Sequence, residues 1–276
     1  MNNVPQVMGI LNVTPDSFSD GGKFVHLATA MRHARQMVSA GVQWIDIGGE
    51  STRPGARTIS EQQELDRILP VVEKIRAELP VRISVDTSKA CVMRESIKLN
   101  ADMINDIMAL RGEHCLATVA ESSTIRLCLM HLQGEPRTMQ ENPYYGNVVQ
   151  EVKDFLLARA QACLDVGIGA ERLIIDPGFG FGKTLHHNLL LMKQLSEFTA
   201  LPYPVLIGVS RKSMIGKILD KPVHKRLHGG LALAVFAVNQ GAQFIRTHDV
   251  AATVEALNVI KAINEAGVAE LEMAQF

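Results

Sequence analysis

The stretch LIIDPGFGFGKT, residues 173–184, invites two incompatible readings. Its Gly-Lys-Thr ending belongs to phosphate-binding loops, which require a first glycine five positions ahead of the second, as in G-x-x-x-x-G-K-[ST]. Five positions before Gly182 stands Pro177, so the spacing fails. The dinucleotide pattern G-x-G-x-x-G fails as well, because the glycines stand at 178, 180 and 182. What remains is an apolar strand closed by a carboxylate, Asp176, and then a glycine loop carrying Phe179 and Phe181. Either it is a plain βα turn, or the carboxylate meets a ligand's N–H groups while an aromatic covers a flat ring.

The same pattern occurs seven more times. Strands are predicted over 6–13, 44–49, 82–87, 103–107, 126–131, 173–178, 204–210 and 244–248, nearly all of them continuously apolar, as strands buried on both faces are. Helical periodicity fills the gaps. Leu65, Ile68, Leu69, Val72, Ile75 and Leu79 form one stripe, with Pro70 as a kink. Val148, Val152, Phe155, Leu156 and Cys163 form another, stopped by Gly167, and a last helix is closed by Gly267. Eight β–α repeats predict a (β/α)8 TIM barrel forming a single domain over 1–276, with an open doubly wound sheet as the competitor. The strands finish on Asn12, Asp46, Asp86, Asn105, His131, Asp176, Ser210 and His248. A buried strand gains nothing from a polar end, but a barrel collects its chemistry at the C-terminal rim.

Bulk properties narrow the partners. The 276 residues are 47% hydrophobic, which excludes a mostly disordered chain. Twenty-eight Lys and Arg against 29 Asp and Glu leave a net charge of −1 and no basic excess for nucleic acid. Cys91, Cys115, Cys128 and Cys163 stand far apart, with no C-x-x-C pair, as suits a reducing cytoplasm. There is no signal-peptide pattern at the start, and no apolar run approaches the ~20 residues that span a bilayer. The expectation is a soluble cytoplasmic protein.

At the predicted rim, Asp46, Asp86, Asp176 and Asn105 form an acidic and polar set. Buried carboxylates need partners with several N–H donors, and a heterocycle with a 2-amino-4-oxo edge is one. Structural hydrogen bonds to neighbouring loops are the alternative for any single Asp. Cations stand in other connections: Arg53 in GGESTRPG, Arg211 and Lys212 in GVSRKSMIG, and Arg246 with His248 in IRTHD. Arg246 and His248 share a strand face at period two. Lys212 and Ser213 stand at a helix start suited to an anion. The connection 12–22, with Thr14, Asp16, Ser17, Ser19, Asp20 and Phe18, reads as a movable lid or as an ordinary long loop.

Together, MGILNVTPDSFSDGG, IDIGGESTRPGA, ISVDTSK, INDI, CLMHLQGEPRTMQ, IIDPGFGFGKT, GVSRKSMIG and IRTHDV resemble the dihydropteroate synthases, in the family's order and over essentially the whole chain. HGGLALAV departs from the family's Ser- or Thr-containing helix start, away from the polar rim. The resemblance implies joining of 6-hydroxymethyl-7,8-dihydropterin diphosphate to p-aminobenzoate, giving 7,8-dihydropteroate and diphosphate. It implies a pterin edge on Asp86, Asn105 and Asp176, with Lys212 reaching the ring and Met130 lining the pocket. Diphosphate is implied at Asn12, Thr52, Arg53, Arg246 and His248, with Mg2+ on Asn12, and Thr247 is implied as a further substrate-binding residue. The implied p-aminobenzoate site is Phe181, Pro54 and Ser213, where sulfonamides compete. Arg53, Lys212, Arg246 and His248 carry the implied catalysis, and the family suggests a homodimer. Two rivals share a pterin pocket. One is a barrel moving a methyl group from methyltetrahydrofolate to a corrinoid, with no use for the cations. The other is a silent paralogue, which should have lost Asn12, Arg53 or the Arg-Thr-His triplet.

Overall fold

The computed structural model describes residues 5–14, 23–51 and 58–266. Eight strands alternate with helices: β1 Gln6–Asn12, β2 Trp44–Gly48, β3 Arg82–Asp86, β4 Met103–Asp106, β5 Arg126–Met130, β6 Leu173–Asp176, β7 Leu206–Gly208 and β8 Phe244–Thr247. The helices are α1 Lys23–Ser39, α2 Glu61–Glu78, α3 Ala90–Lys98, α4 Cys115–Ala120, α5 Val148–Asp165, α6 Leu185–Lys193, α7 Ser196–Thr199, α8 Ser213–Leu219, α9 Leu227–Asn239 and α10 Val250–Glu265. All strand pairs are parallel, in the order β6-β5-β4-β3-β2-β1-β8-β7. A bridge between Ile175 and Val205 joins the two ends and closes the predicted barrel.

Alternation along each strand explains the sequence pattern. Outward residues such as Val7, Leu11, Ile45, Ile47, Ile83, Val85, Leu127, Ile175 and Ile245 form the large core beneath the helices. Inward residues change character along the axis. Met8, Trp44, Met103, Cys128, Ile174, Leu206 and Phe244 make an apolar layer inside the barrel. Two residues further along their strands come Asp46, Asn105, Met130, Asp176, Gly208 and Arg246. Apolar plugs below and polar ends above are therefore one pattern read at period two.

The helices start where the chemistry allows. Ser60 and Gln63 form a capping box on α2, Asn147 caps α5, and Thr184 with His187 caps α6. The α2 stripe lies close to its predicted position, but Val71 and a charged residue, Glu64, are buried with it while Leu69 and Leu79 are half-buried. The helix continues through Pro70, which lies on its exposed face. Gly167 takes a positive φ of 86° after α5, whereas Gly267 lies outside the described residues.

Trp44 and Phe244 meet edge to face at 6.1 Å inside the barrel. Phe244→Ala is expected to cost about 3–5 kcal/mol of unfolding free energy in urea titration, since a closed wall has little freedom to collapse into the gap.

Candidate active site

The C-terminal ends of the strands surround a cleft lined by Ile10, Asp86, Asn105, Met130, Asp176, Phe181, Gly208, Ser210, Lys212, Arg246 and His248, among others. Strand register brings these groups together. Asn12 pairs with Gly48, Gly48 with Asp86, Asp86 with Asn105, and Met130 with Asp176. The missing side chain at Gly48 lets its neighbours close in. A Cβ there would lie 3.7 Å from both Asn12 Oδ1 and Asp86 Cβ, so Asn12 and Asp86 flank one notch.

Arg246 dominates the floor. Its Nε donates to Asp46 Oδ2 at 2.6 Å and its Nη2 to Asp86 Oδ2 at 2.8 Å. Burial works against the guanidinium, yet Asp46 and Asp86 hold its pKa above the ordinary value. Asp46 is fully buried and lies one inward step below the rim, in register with Ser84 rather than with Asp86. The expectation of three carboxylates at one level is corrected accordingly: two face the cleft and the third is beneath it. Arg246, though it comes from another strand, lies among the carboxylates.

Asp86 and Asp176 are left under electrostatic stress. Burial pushes Asp86 up to about 7, with Arg246 opposing and the Asp46 charge adding to the rise. Burial likewise pushes Asp176 up to about 6, against a 2.7 Å hydrogen bond from the Gly178 N–H and the more distant lysines. Lys212 is pushed down to about 8 by burial, with Asp176 opposing. Its ammonium lies 3.9 Å over the Phe181 ring, a cation–π contact. Groups displaced toward neutrality in one cleft mark a binding or catalytic site.

The glycine loop after β6 is packed tightly. Gly178, Gly180 and Gly182 all have positive φ, and a Cβ on Gly178 would stand 1.9 Å from the His131 carbonyl oxygen. Lys183, the lysine of the misleading Gly-Lys-Thr, is buried within the loop. Its Nζ donates to Gly178 O at 2.9 Å, Phe181 O at 3.0 Å and His131 Nδ1 at 2.8 Å, and burial holds its pKa well below the ordinary lysine value. Burial, reinforced by the Lys183 charge, drives the His131 imidazole down to about 2, so it is neutral and accepts this bond. Lys183 holds the loop and Thr184 starts the helix; neither is available for phosphate.

Several sequence-predicted positions are corrected. His131 points behind the wall, edge-on to Phe155, rather than into the cleft. Thr247 is outward too, its hydroxyl shared with Thr253 and the Asp249 N–H, so that side chain does not reach a ligand in the cleft. Of the two aromatics in this loop, Phe179 is buried and Phe181 is partly exposed. Arg211 is paired with Asp249. Ser213 is exposed at the start of α8, and His248 Nδ1 lies 3.1 Å from Ser210 Oγ. Thr52, Arg53 and Pro54, and the lid positions 15–22, lie outside the described residues.

Other contributors went unnoticed in the sequence. Arg226 donates to the carbonyls of Arg211 and Lys212, bracing the turn that presents Lys212. Lys89 bridges Glu50 and buried Glu64, each at 2.5 Å, tying both sides of the β2–α2 connection to the segment after β3. A charged residue on the α2 stripe was the available signal for Glu64. Among the described residues no group of three His, Cys, Asp or Glu side chains could hold a metal ion alone. The Asn12 amide oxygen beside Asp86 suits a hard cation that draws its remaining ligands from phosphate and water.

Residues 8–248 match the family described as pterin binding enzymes, and the chain belongs to that class. Over 260 residues, 94% of each chain, it is 54% identical to dihydropteroate synthase from Haemophilus influenzae. The Yersinia pestis dihydropteroate synthase, solved with a sulfonamide drug complex, superposes with a TM-score of 0.90 at 50% identity, covering 95% of both chains. The Burkholderia cenocepacia dihydropteroate synthase, complexed with 7,8-dihydropteroate, gives a TM-score of 0.87 at 45% identity, covering 96% of this chain and 93% of that one. Within the class, the chain is a member of the dihydropteroate synthase family, whose members are transferases.

Two outcomes are expected. Gly178→Ala should cost about 2 kcal/mol or more, through both the positive φ and the collision with His131, as measured by chemical denaturation. Asp176 has a folded pKa above its ordinary value, so its contribution to stability is full below about pH 4 and is lost as pH rises through 6. Asp176→Asn should therefore raise the melting temperature at pH 8, by roughly 2–6 °C, with little change at pH 4.

Proposed function

We propose that this chain condenses 6-hydroxymethyl-7,8-dihydropterin diphosphate with p-aminobenzoate, forming 7,8-dihydropteroate and diphosphate. The observation that carries the proposal is the convergence of Asp86, Asn105 and Asp176 with Lys212 and Arg246 in one cleft. The carboxylates and the amide accept from the amino and ring N–H groups of a pterin, while Lys212 reaches the ring. Membership of the dihydropteroate synthase family supports the same chemistry.

The departing anion is met by Arg246 and His248, and by Asn12, Thr52 and Arg53 on neighbouring connections. Charge-assisted hydrogen bonds placed where negative charge develops lower the barrier in proportion to that charge. The pterin ring pushes electrons toward its exocyclic CH2, so the C–O bond can break before the arylamine attacks, and the nearby carboxylates favour the resulting cation. Arg53, Lys212, Arg246 and His248 are the catalytic side chains in this scheme. The connections 12–22 and 49–59 exclude the water that would otherwise capture the cation. Mg2+ held by Asn12 and the diphosphate would neutralise leaving-group charge. Phe181, Pro54 and Ser213 would receive p-aminobenzoate or a competing sulfonamide.

The active form is a homodimer on this proposal. The α9 helix is apolar on most sides but fully buries only Ala234 and Ala237, and Phe236, Val259 and Ile263 are exposed on α9 and α10. Such a face is characteristic of a protein contact. The four cysteines are free thiols, in keeping with a reducing cytoplasm, and no described helix is long and apolar enough to cross a membrane.

Incubation with the pterin diphosphate, p-aminobenzoate and Mg2+ should release dihydropteroate and diphosphate, and omission of any component should abolish both products. Arg246→Ala should lower turnover by two orders of magnitude or more while pterin still binds. Unchanged turnover would refute the role given to Arg246.

A further inference from the structure

Asp46 is assigned no part in the reaction above, although it is the most deeply placed charged group of the site. It is fully buried, lies beneath the cleft, and takes two donors on one oxygen: Arg246 Nε at 2.6 Å and Asn105 Nδ2 at 3.2 Å. Its other oxygen has no hydrogen-bond partner among the described residues. The two donors it holds belong to two groups that face the ligand.

Each contact has a chemical consequence. A carboxylate only accepts, so the atom that Asn105 turns toward Asp46 must be its NH2. The Asn105 carbonyl oxygen is then left to accept from a ligand N–H. Arg246 is gripped at Nε by Asp46 and at Nη2 by Asp86. Asp86 lines the cleft and Asp46 does not. A ring edge that hydrogen-bonds Asp86 draws on the same carboxylate that receives Nη2 and leaves the Nε contact untouched.

We propose that Asp46 is a positioning residue for the transfer reaction. From beneath the pocket it keeps Arg246 in place while Asp86 turns to the substrate, and it fixes Asn105 with its acceptor toward the ring. The proposal rests on the pterin-transfer function, but its decisive readout does not require turnover.

The test uses Asp46→Asn, which keeps the shape and removes the charge. Asp86 is faced by Arg246 from β8, Asp46 from β2, Glu64 from α2, Asp106 from β4 and Lys212 from the turn before α8. Removing the Asp46 charge ends one repulsion and gives Asp86 the whole of Arg246. Both changes favour the ionised carboxylate, so the acid limb of 6-hydroxymethylpterin binding, followed by calorimetry, should move at least half a unit to lower pH. At pH 8 the turnover per folded site should fall at least tenfold. Ser84→Ala, in register with Asp46 and equally buried, should leave the limb in place. An unmoved limb in Asp46→Asn, or an equal shift in Ser84→Ala, would overturn the proposal.

A measurement on the unaltered protein covers the case in which Asp46→Asn does not fold. The Arg246 Nε–H should remain protected from solvent exchange, by nitrogen-15 NMR, in both the free and the pterin-bound protein. Loss of that protection on binding would count against Asp46 as the fixed anchor. If the unaltered protein binds pterin but forms no dihydropteroate, the transferase function fails, and the binding limb and the exchange measurement still decide the role of Asp46.

Discussion

One guanidinium shared by two buried carboxylates sets the character of the whole cleft. Charges removed from water are tolerated only when paired and hydrogen-bonded, and Arg246 supplies that pairing to both Asp46 and Asp86. The third carboxylate, Asp176, is served by a backbone N–H and by lysines at greater distance. The free protein thus holds acceptors whose hydrogen-bonding capacity is only partly used, in positions fixed by strands. A ligand edge rich in N–H groups completes what the protein leaves incomplete. That division explains why groups costly to stability are retained at the mouth, while the opposite layer of the barrel is filled with Met8, Trp44 and Phe244.

Much of this was legible in the sequence, for identifiable reasons. The strands were readable because both faces of a barrel wall are buried, which gives continuous apolar runs, and because their inward ends turn polar together. Alternation placed Arg246 and His248 on the same face, and both line the cleft. The same rule, applied to their neighbour, sends Thr247 outward to Thr253. Applied to β5 it sends His131 behind the wall, since Met130 faces in. Asp46 looked equivalent to Asp86, but depth along the axis depends on register between strands, which a single strand does not encode.

Lys183 and Arg226 were hidden for another reason. Both donate their N–H groups to loop carbonyls, and a carbonyl is present at every residue, so no partner advertises the contact. The Gly-Lys-Thr sequence is a case of the same residues serving different physics. The glycines permit positive φ in both settings. Here the lysine gathers the loop's own oxygens instead of a phosphate, and the threonine caps α6. A motif identifies a local conformation more securely than it identifies a ligand.

The wall of the barrel is unequal around its circumference. Seven of its seams are full strand pairings, whereas β6 and β7 meet through the Ile175–Val205 bridge. Asp176 stands at the top of one side of that weak seam, and Lys212 follows the strand on the other side. A rigid plate touching both would act as a clasp across the gap. Filling the mouth and tightening the cylinder are then mechanically the same event, and the grip on a guest and the resistance of the wall to opening rise together.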